Sequence, residues 1–171
     1  MASPLAVYKL TILYMLDRAG GEIPVPMISA FLLENGYTGF SSLVQTYSEM
    51  EENGLVSTRT EGEERTFLSI TQEGEETLRF FVNDLSAEIR DQIRVFLKEN
   101  GRQLRNEQSL TADYYRNSFG NFEAHLAVRE KNEPVVDIRL TVPDAPTAIH
   151  ITEAWREKNQ EIYAFLIDNL F

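Results

Sequence analysis

Glycine and proline cut the first half of this chain into pieces too short for anything but a small helical unit closed by a hairpin. Ser3-Pro4 opens a helix, with a serine acceptor at the N-cap and proline at the first helical position. Leu5, Tyr8, Ile12, Met15 and Ala19 follow at helical spacing, and Gly20-Gly21 stops the run. Leu10, Leu13 and Tyr14 give this helix a second apolar face, so it is expected to pack against more than one neighbour. Pro24-Val25-Pro26 starts a short second helix carrying Ile28, Phe31 and Leu32, which Asn35-Gly36 ends with residues suited to a left-handed C-cap. A turn through Thr38-Gly39 leads to a third helix, roughly Ser41 to Asn53. Its inward residues should be Leu43, Tyr47 and Met50, and Gly54 closes it.

Leu55 to Thr60 reads as a strand, Glu61-Gly62-Glu63-Glu64 as a tight loop and Arg65 to Ile70 as the returning strand. Thr71 can cap the next helix, with Glu73, Glu75 and Glu76 near its positive end and Leu78, Phe81 and Val82 further along. Three helices, a hairpin and another helix, in that order, form the winged helix-turn-helix plan. The run Glu51-Glu52-Asn53-Gly54-Leu55-Val56 resembles the junction by which a recognition helix of that superfamily enters its wing. The run Leu68-Ser69-Ile70-Thr71-Gln72-Glu73-Gly74 resembles the strand-Thr-x-x-Gly wing exit of MarR-like and PadR-like regulators.

In the second half, Ser86 to Leu104 reads as one long helix with Ile89, Ile93, Phe96 and Leu97 on its apolar side. Arg90, Arg94, Lys98 and Arg102 recur along it as a basic stripe. Glu88, Asp91 and Glu99 are interleaved, a pattern typical of a solvated face with local ion pairs. Three strands follow. The first runs from Thr111 to Asn117. The second puts Phe122, Ala124, Leu126 and Val128 on one face, with Glu123, His125 and Arg129 on the other. Past the turn Lys131-Asn132-Glu133-Pro134, the third points Val136, Ile138, Leu140 and Val142 inward. Such alternation describes an antiparallel meander with one wet face. Two helical segments complete the chain, about Thr147 to Lys158 and Asn159 to Leu170; Trp155 in the first should cover the meander, and the second is apolar nearly all round.

The expected fold is therefore α+β: a winged helix-turn-helix over residues 1–83, a linking helix over 84–106, and a small α/β domain with a C-terminal dimerisation helix over 107–171. The segments Asp113-Tyr114-Tyr115, Leu140-Thr141-Val142-Pro143, Ala154-Trp155 and Ile162-Tyr163 resemble a Gram-positive bacterial family of unknown function. Its members are predicted to carry an N-terminal winged helix and are often labelled transcriptional regulators, so the resemblance implies that role here.

With no cysteine and two histidines, His125 and His150, thiolate chemistry is excluded and histidine-rich metal sites are disfavoured. Neither histidine has a ligand neighbour at helical spacing, and no Gly-x-Ser-x-Gly or phosphate-loop pattern occurs. Paired glutamates such as Glu51-Glu52 and Glu75-Glu76 point apart and read as solvated surface. No enzyme, metal or cofactor is expected. Lys9 interrupts the apolar N-terminus and no apolar stretch is long enough to span a bilayer, so a cytoplasmic protein with no membrane partner is expected.

Two functions from different classes follow. In the first, a homodimeric regulator binds double-stranded DNA through Ser41, Ser42, Gln45 and Thr46 of the third helix, with Arg59 and Arg65 of the wing on phosphates. Dimerisation would use Leu10, Leu13 and Tyr14 with Tyr163, Ile167, Leu170 and Phe171. Charge opposes this reading. Through Glu75 there are four bases, Lys9, Arg18, Arg59 and Arg65, against eleven acids, a balance of −7 within a chain of net charge −11. In the second, an acidic module of winged-helix shape binds a basic protein partner or a small-molecule effector and leaves DNA alone.

Overall fold

The computed structural model describes residues 4–36, 39–62, 65–131 and 133–171. Ser3, Thr38, Glu63, Glu64 and Asn132, each named in the sequence reading, lie outside the described residues. The chain groups into two units: Met1–Thr60 with Arg65–Arg105, and Glu61–Glu64 with Asn106–Phe171.

In the first unit the elements run α1 (Pro4–Ala19), β1 (Ile23–Pro24), α2 (Val25–Glu34), α3 (Phe40–Glu52), β2 (Val56–Glu61), β3 (Arg65–Ile70), α4 (Gln72–Phe81), a 3-10 turn (Val82–Asp84) and α5 (Ala87–Glu99). The two-residue β1, which the sequence reading did not anticipate, pairs antiparallel with β3, Ile23 opposite Leu68 and Pro24 opposite Phe67. Proline is tolerated there because β1 is an edge of the sheet, whose order is β1-β3-β2. Gly20 holds the positive φ of 70° that ends α1, and Gly36 and Gly54 do the same after α2 and α3.

The core is built around α1. Ile12, Leu13, Met15 and Leu16 are buried among Ile28, Phe31 and Leu32 of α2, Leu43 and Met50 of α3, and Leu78 of α4. Both apolar faces of α1 are thereby consumed within the unit. Leu10 and Leu13, at 6% and 0% exposed, are core residues and offer nothing to a second chain.

The Thr71-x-x-Gly74 pattern has a direct physical cause. Thr71 Oγ accepts the Gly74 amide at 3.0 Å, capping α4, and donates to the Gly54 carbonyl at 2.6 Å. A Cβ on Gly74 would sit 2.2 Å from the Leu55 carbonyl oxygen, so only glycine lets α4 approach the start of β2 this closely.

The helix read as continuous from Ser86 to Leu104 is two. Ser86 caps α5, its Oγ accepting the Ile89 amide at 3.2 Å. Asn100 ends α5, donating its side-chain amide to the Phe96 carbonyl at 2.8 Å, and α6 (Gly101–Ser109) follows. An Asn-Gly pair gives up helical backbone more readily than any other dipeptide on this stretch. The break carries Arg102 off α5, and the segment read as a link supplies Ile93 and Leu104 to the first core.

The second unit holds β4 (Leu110–Arg116), β5 (Phe122–Glu130), β6 (Glu133–Val142) and α7 (Ala145–Leu170). The strands form an antiparallel meander, β4-β5-β6, with Ala112 opposite Leu126 and Leu126 opposite Ile138. Trp155 of α7 is 1% exposed against Ala112 and Leu126, with its indole N–H directed at the Ala127 carbonyl. The apolar cover includes Ile138 but not Leu140, which is 43% exposed where an inward position was expected.

The two C-terminal helices of the sequence reading are one 26-residue helix, roughly 39 Å long at 1.5 Å per residue. Asp144 starts it by accepting from the Thr147 amide and hydroxyl, at 2.8 and 2.7 Å, and these bonds hold its carboxyl below the usual range. Asn159, where a break was expected, donates its amide to the carbonyls of Trp155 and Arg156 and stays within the helix.

Candidate functional site

Helix α3 presents its polar side because its apolar positions follow a three-and-four spacing. Leu43, Thr46 and Met50 are buried, and Ser41, Ser42, Val44, Gln45 and Ser48 are exposed. Thr46 is a correction to the expected contact set. It is 0% exposed, its hydroxyl donating to the Ser42 carbonyl at 2.7 Å, so it can occupy an apolar position without an unmet polar atom. Tyr47 is half-buried, its hydroxyl 3.0 Å from Ser29 Oγ, and burial pushes its pKa up to about 12.

The exposed face contains Ser41, Ser42 and Gln45 but no Lys or Arg, since α3 carries none. Gln45 donates to Glu49 Oε1 at 2.9 Å, and Lys9 of α1 meets the other Glu49 oxygen at 2.8 Å. These bonds, Lys9 first, hold Glu49 below the usual carboxylate range. Lys9 is thus paired with a carboxylate of α3.

The hairpin arginines are engaged as well. Arg59 is bound bidentately by Glu22, Nε to Oε1 at 2.9 Å and Nη2 to Oε2 at 2.7 Å, and lies 4.5 Å over the Phe67 ring. Glu22 belongs to the segment after α1. The Arg65 guanidinium lies 5.8 Å from the same ring. Glu61 is the larger surprise. Read as part of a tight loop, it is 3% exposed, its carboxylate 2.5 Å from Arg156, which Glu107 also approaches at 3.5 Å. A charge this buried is tolerated only with such a partner.

Two grooves flank α5, and the sequence reading identified neither. One, of about 580 Å³, is lined by Phe31, Val95 and Phe96 and rimmed by Glu34, Glu88, Asp91 and Glu99. Gln92 Oε1, also in its lining, is buried without a hydrogen-bond partner among the described residues. The other, of about 490 Å³, is lined by Tyr14, Arg18, Arg90, Asp91, Arg94 and Leu97. The stripe Arg90, Arg94 gave a hint of it, but Arg18 joins only through the packing of α1 against α5.

On the wet face of the meander, His125 is not solitary: its Nε2 lies 2.8 Å from Asp137 Oδ1 on the neighbouring strand. Arg139 donates to the Tyr115 hydroxyl at 2.7 Å. Of the remaining dimer candidates, Tyr14 is half-buried under the Arg18 guanidinium, at 5.1 Å. Tyr163 and Ile167 are half-buried, while Leu170 and Phe171 are 72% and 96% exposed, as is Phe165 at 64%.

Among the described residues no group of three or more His, Asp or Glu could hold a metal ion, and no helix is long and apolar enough to cross a membrane. Fold and surfaces together define a two-unit α+β protein with two antiparallel three-stranded sheets and a polar, cation-free helix face on the first unit. The chain belongs to the family described as Domain of unknown function (DUF4364), whose sequence model matches residues 8–170. No curated protein and no solved structure matches the chain.

Proposed function

We propose that the first unit is a winged helix-turn-helix and that the protein is a homodimeric, non-enzymatic transcriptional regulator whose α3 enters the major groove of DNA. The observation that carries this reading is the connectivity: α1-β1-α2-α3-β2-β3-α4 with β3 central in the sheet and the polar side of α3 left uncovered. Ser41, Ser42 and Gln45 are the base-reading side chains in this account. Arg59, which Glu22 holds, and Arg65 are the hairpin side chains nearest this role in the account. The exposed apolar end of α7 supports dimerisation. The test is duplex binding by fluorescence anisotropy at low and moderate salt. Loss of sequence preference in Gln45→Ala supports the reading, and absence of any binding at low salt overturns it.

The acid-rimmed groove beside α5 favours a second reading, a module that docks a basic partner instead of DNA. Four carboxylates around an aromatic and aliphatic floor suit a cationic segment with an apolar face, and Gln92 Oε1 would accept one of its N–H groups. A Lys- and Arg-rich amphipathic peptide binding there, with no duplex binding, would select this reading.

A further inference from the structure

A basic stripe interleaved with acids normally neutralises itself along its own helix. On α5 this does not happen. Glu88, Asp91 and Glu99 share the helix side that carries Gln92 and Val95, at successive spacings of three, four, seven and eleven from Glu88, and line the acidic groove. Arg90 and Arg94 point to the opposite flank, with Leu97, where α1 brings in Arg18. Among the described residues the one ion pair formed within α5 is loose: Arg94 Nε lies 3.6 Å from Asp91 Oδ1, with both side chains largely exposed. Among the described residues no carboxylate lies within ion-pair distance of Arg18 or Arg90. In a chain of net charge −11, three guanidinium groups and one carboxylate therefore converge on a single groove, leaving two positive charges uncompensated.

We propose that this groove, between α1 and α5, binds a small phosphate monoester of nucleotide size. The volume, about 490 Å³, falls within the range of small-molecule sites. A phosphate monoester is close to a dianion at neutral pH and offers three acceptor oxygens, matching the two uncompensated charges. Guanidinium forks meet such oxygens two at a time, which a carboxylate ligand would satisfy less fully. Arg18 is already oriented, its guanidinium stacked 5.1 Å over Tyr14, so little side-chain freedom is lost on binding. Tyr14 and Leu97 supply an apolar wall for the organic part of the ligand. A duplex backbone presents its phosphates on a convex surface and fits the concavity poorly. The assignment stands whether or not α3 binds DNA.

The experiment is calorimetric titration of the full chain with adenosine 5′-monophosphate, adenosine and inorganic phosphate, at low salt. The monophosphate should bind, inorganic phosphate more weakly, and adenosine not at all. Arg18→Gln and Arg90→Gln should each raise the monophosphate Kd about tenfold, one charge-assisted hydrogen bond each. Arg94→Gln provides a variant whose fold is secure, because the native side chain is 67% exposed. It should weaken binding in the same direction with an unchanged melting curve. Three results would overturn the assignment: no heat at millimolar monophosphate, equal binding by wild type and Arg94→Gln, or arginine-dependent binding of duplex DNA without binding of the mononucleotide.

Discussion

Arg59 and Glu22, 37 residues apart in sequence, are locked together by three hydrogen bonds between the hairpin and the segment following α1. The pair is about one-third exposed, 34% and 31%, so it restrains the hairpin without the cost of a fully buried ion pair. It also removes from the first unit a cation that a DNA-binding hairpin would ordinarily direct at phosphate. A double-mutant cycle with Glu22→Gln and Arg59→Gln should give a coupling of about 0.5–1 kcal/mol. In the regulator account, Glu22→Gln alone should tighten duplex binding and steepen its salt dependence by about one per chain. Unchanged duplex binding by Glu22→Gln would count against a phosphate contact at Arg59.

Trp155 closes the second core, and its removal should be felt throughout that unit. Trp155→Ala should cost about 3–5 kcal/mol, measured by denaturant unfolding. Trp155→Phe should cost less, because the larger share of contacts with Ala112 and Leu126 survives. A loss below about 1 kcal/mol for the alanine variant would contradict the packing.

Tyr47 makes stability sensitive to alkali. Its folded pKa is raised from 10.0 to about 12 by burial, so the folded state holds the proton more tightly than the unfolded chain does. That contribution is complete below pH 10 and is lost as the pH rises towards about 12. Tyr47→Phe should flatten the decline over this window while leaving the rest of the profile in place. Urea midpoints measured across the window read this directly.

The end of α7 carries the assembly claim. Phe165, Leu170 and Phe171 are exposed at 64%, 72% and 96%, whereas Leu10 and Leu13 are interior. Changing Phe165 and Leu170 to Glu should give a folded monomer whose melting temperature no longer depends on concentration, and Leu10→Glu should unfold the chain instead of dissociating it. Sedimentation of wild type as a monomer at micromolar concentration would remove dimerisation from the account.

The parts of the fold that were legible in the sequence are those fixed by local chemistry. Gly20, Gly36 and Gly54 mark helix ends because their backbones adopt positive φ, and Thr71 with the Thr71-x-x-Gly74 spacing declares its cap. Strict alternation in β5 identified the face that meets Trp155. What could not be read depends on distant partners. Glu61 looks solvated until Arg156, 95 residues on, is brought to it. Thr46 looks like a surface residue because composition does not reveal that its hydroxyl is satisfied one turn back. The groove between α1 and α5 joins Arg18 to Arg90, and no local pattern links them. The break at Asn100 and the continuity through Asn159 differ for a similar reason. The same residue type ends one helix before a glycine and is carried through the other, where the second core holds Trp155.

The central claim is that the uncovered side of α3 reads DNA, and duplex selection with Gln45→Ala as the comparison tests it most directly. Wild-type protein is used to enrich duplexes from a random pool at low salt, and the recovered sequences are then titrated with both proteins. The account predicts enrichment of a defined site by the wild type, with Gln45→Ala losing about 1–3 kcal/mol of discrimination at one position of that site. Recovery of an unenriched pool, with both proteins failing to bind any duplex at low salt, would contradict it.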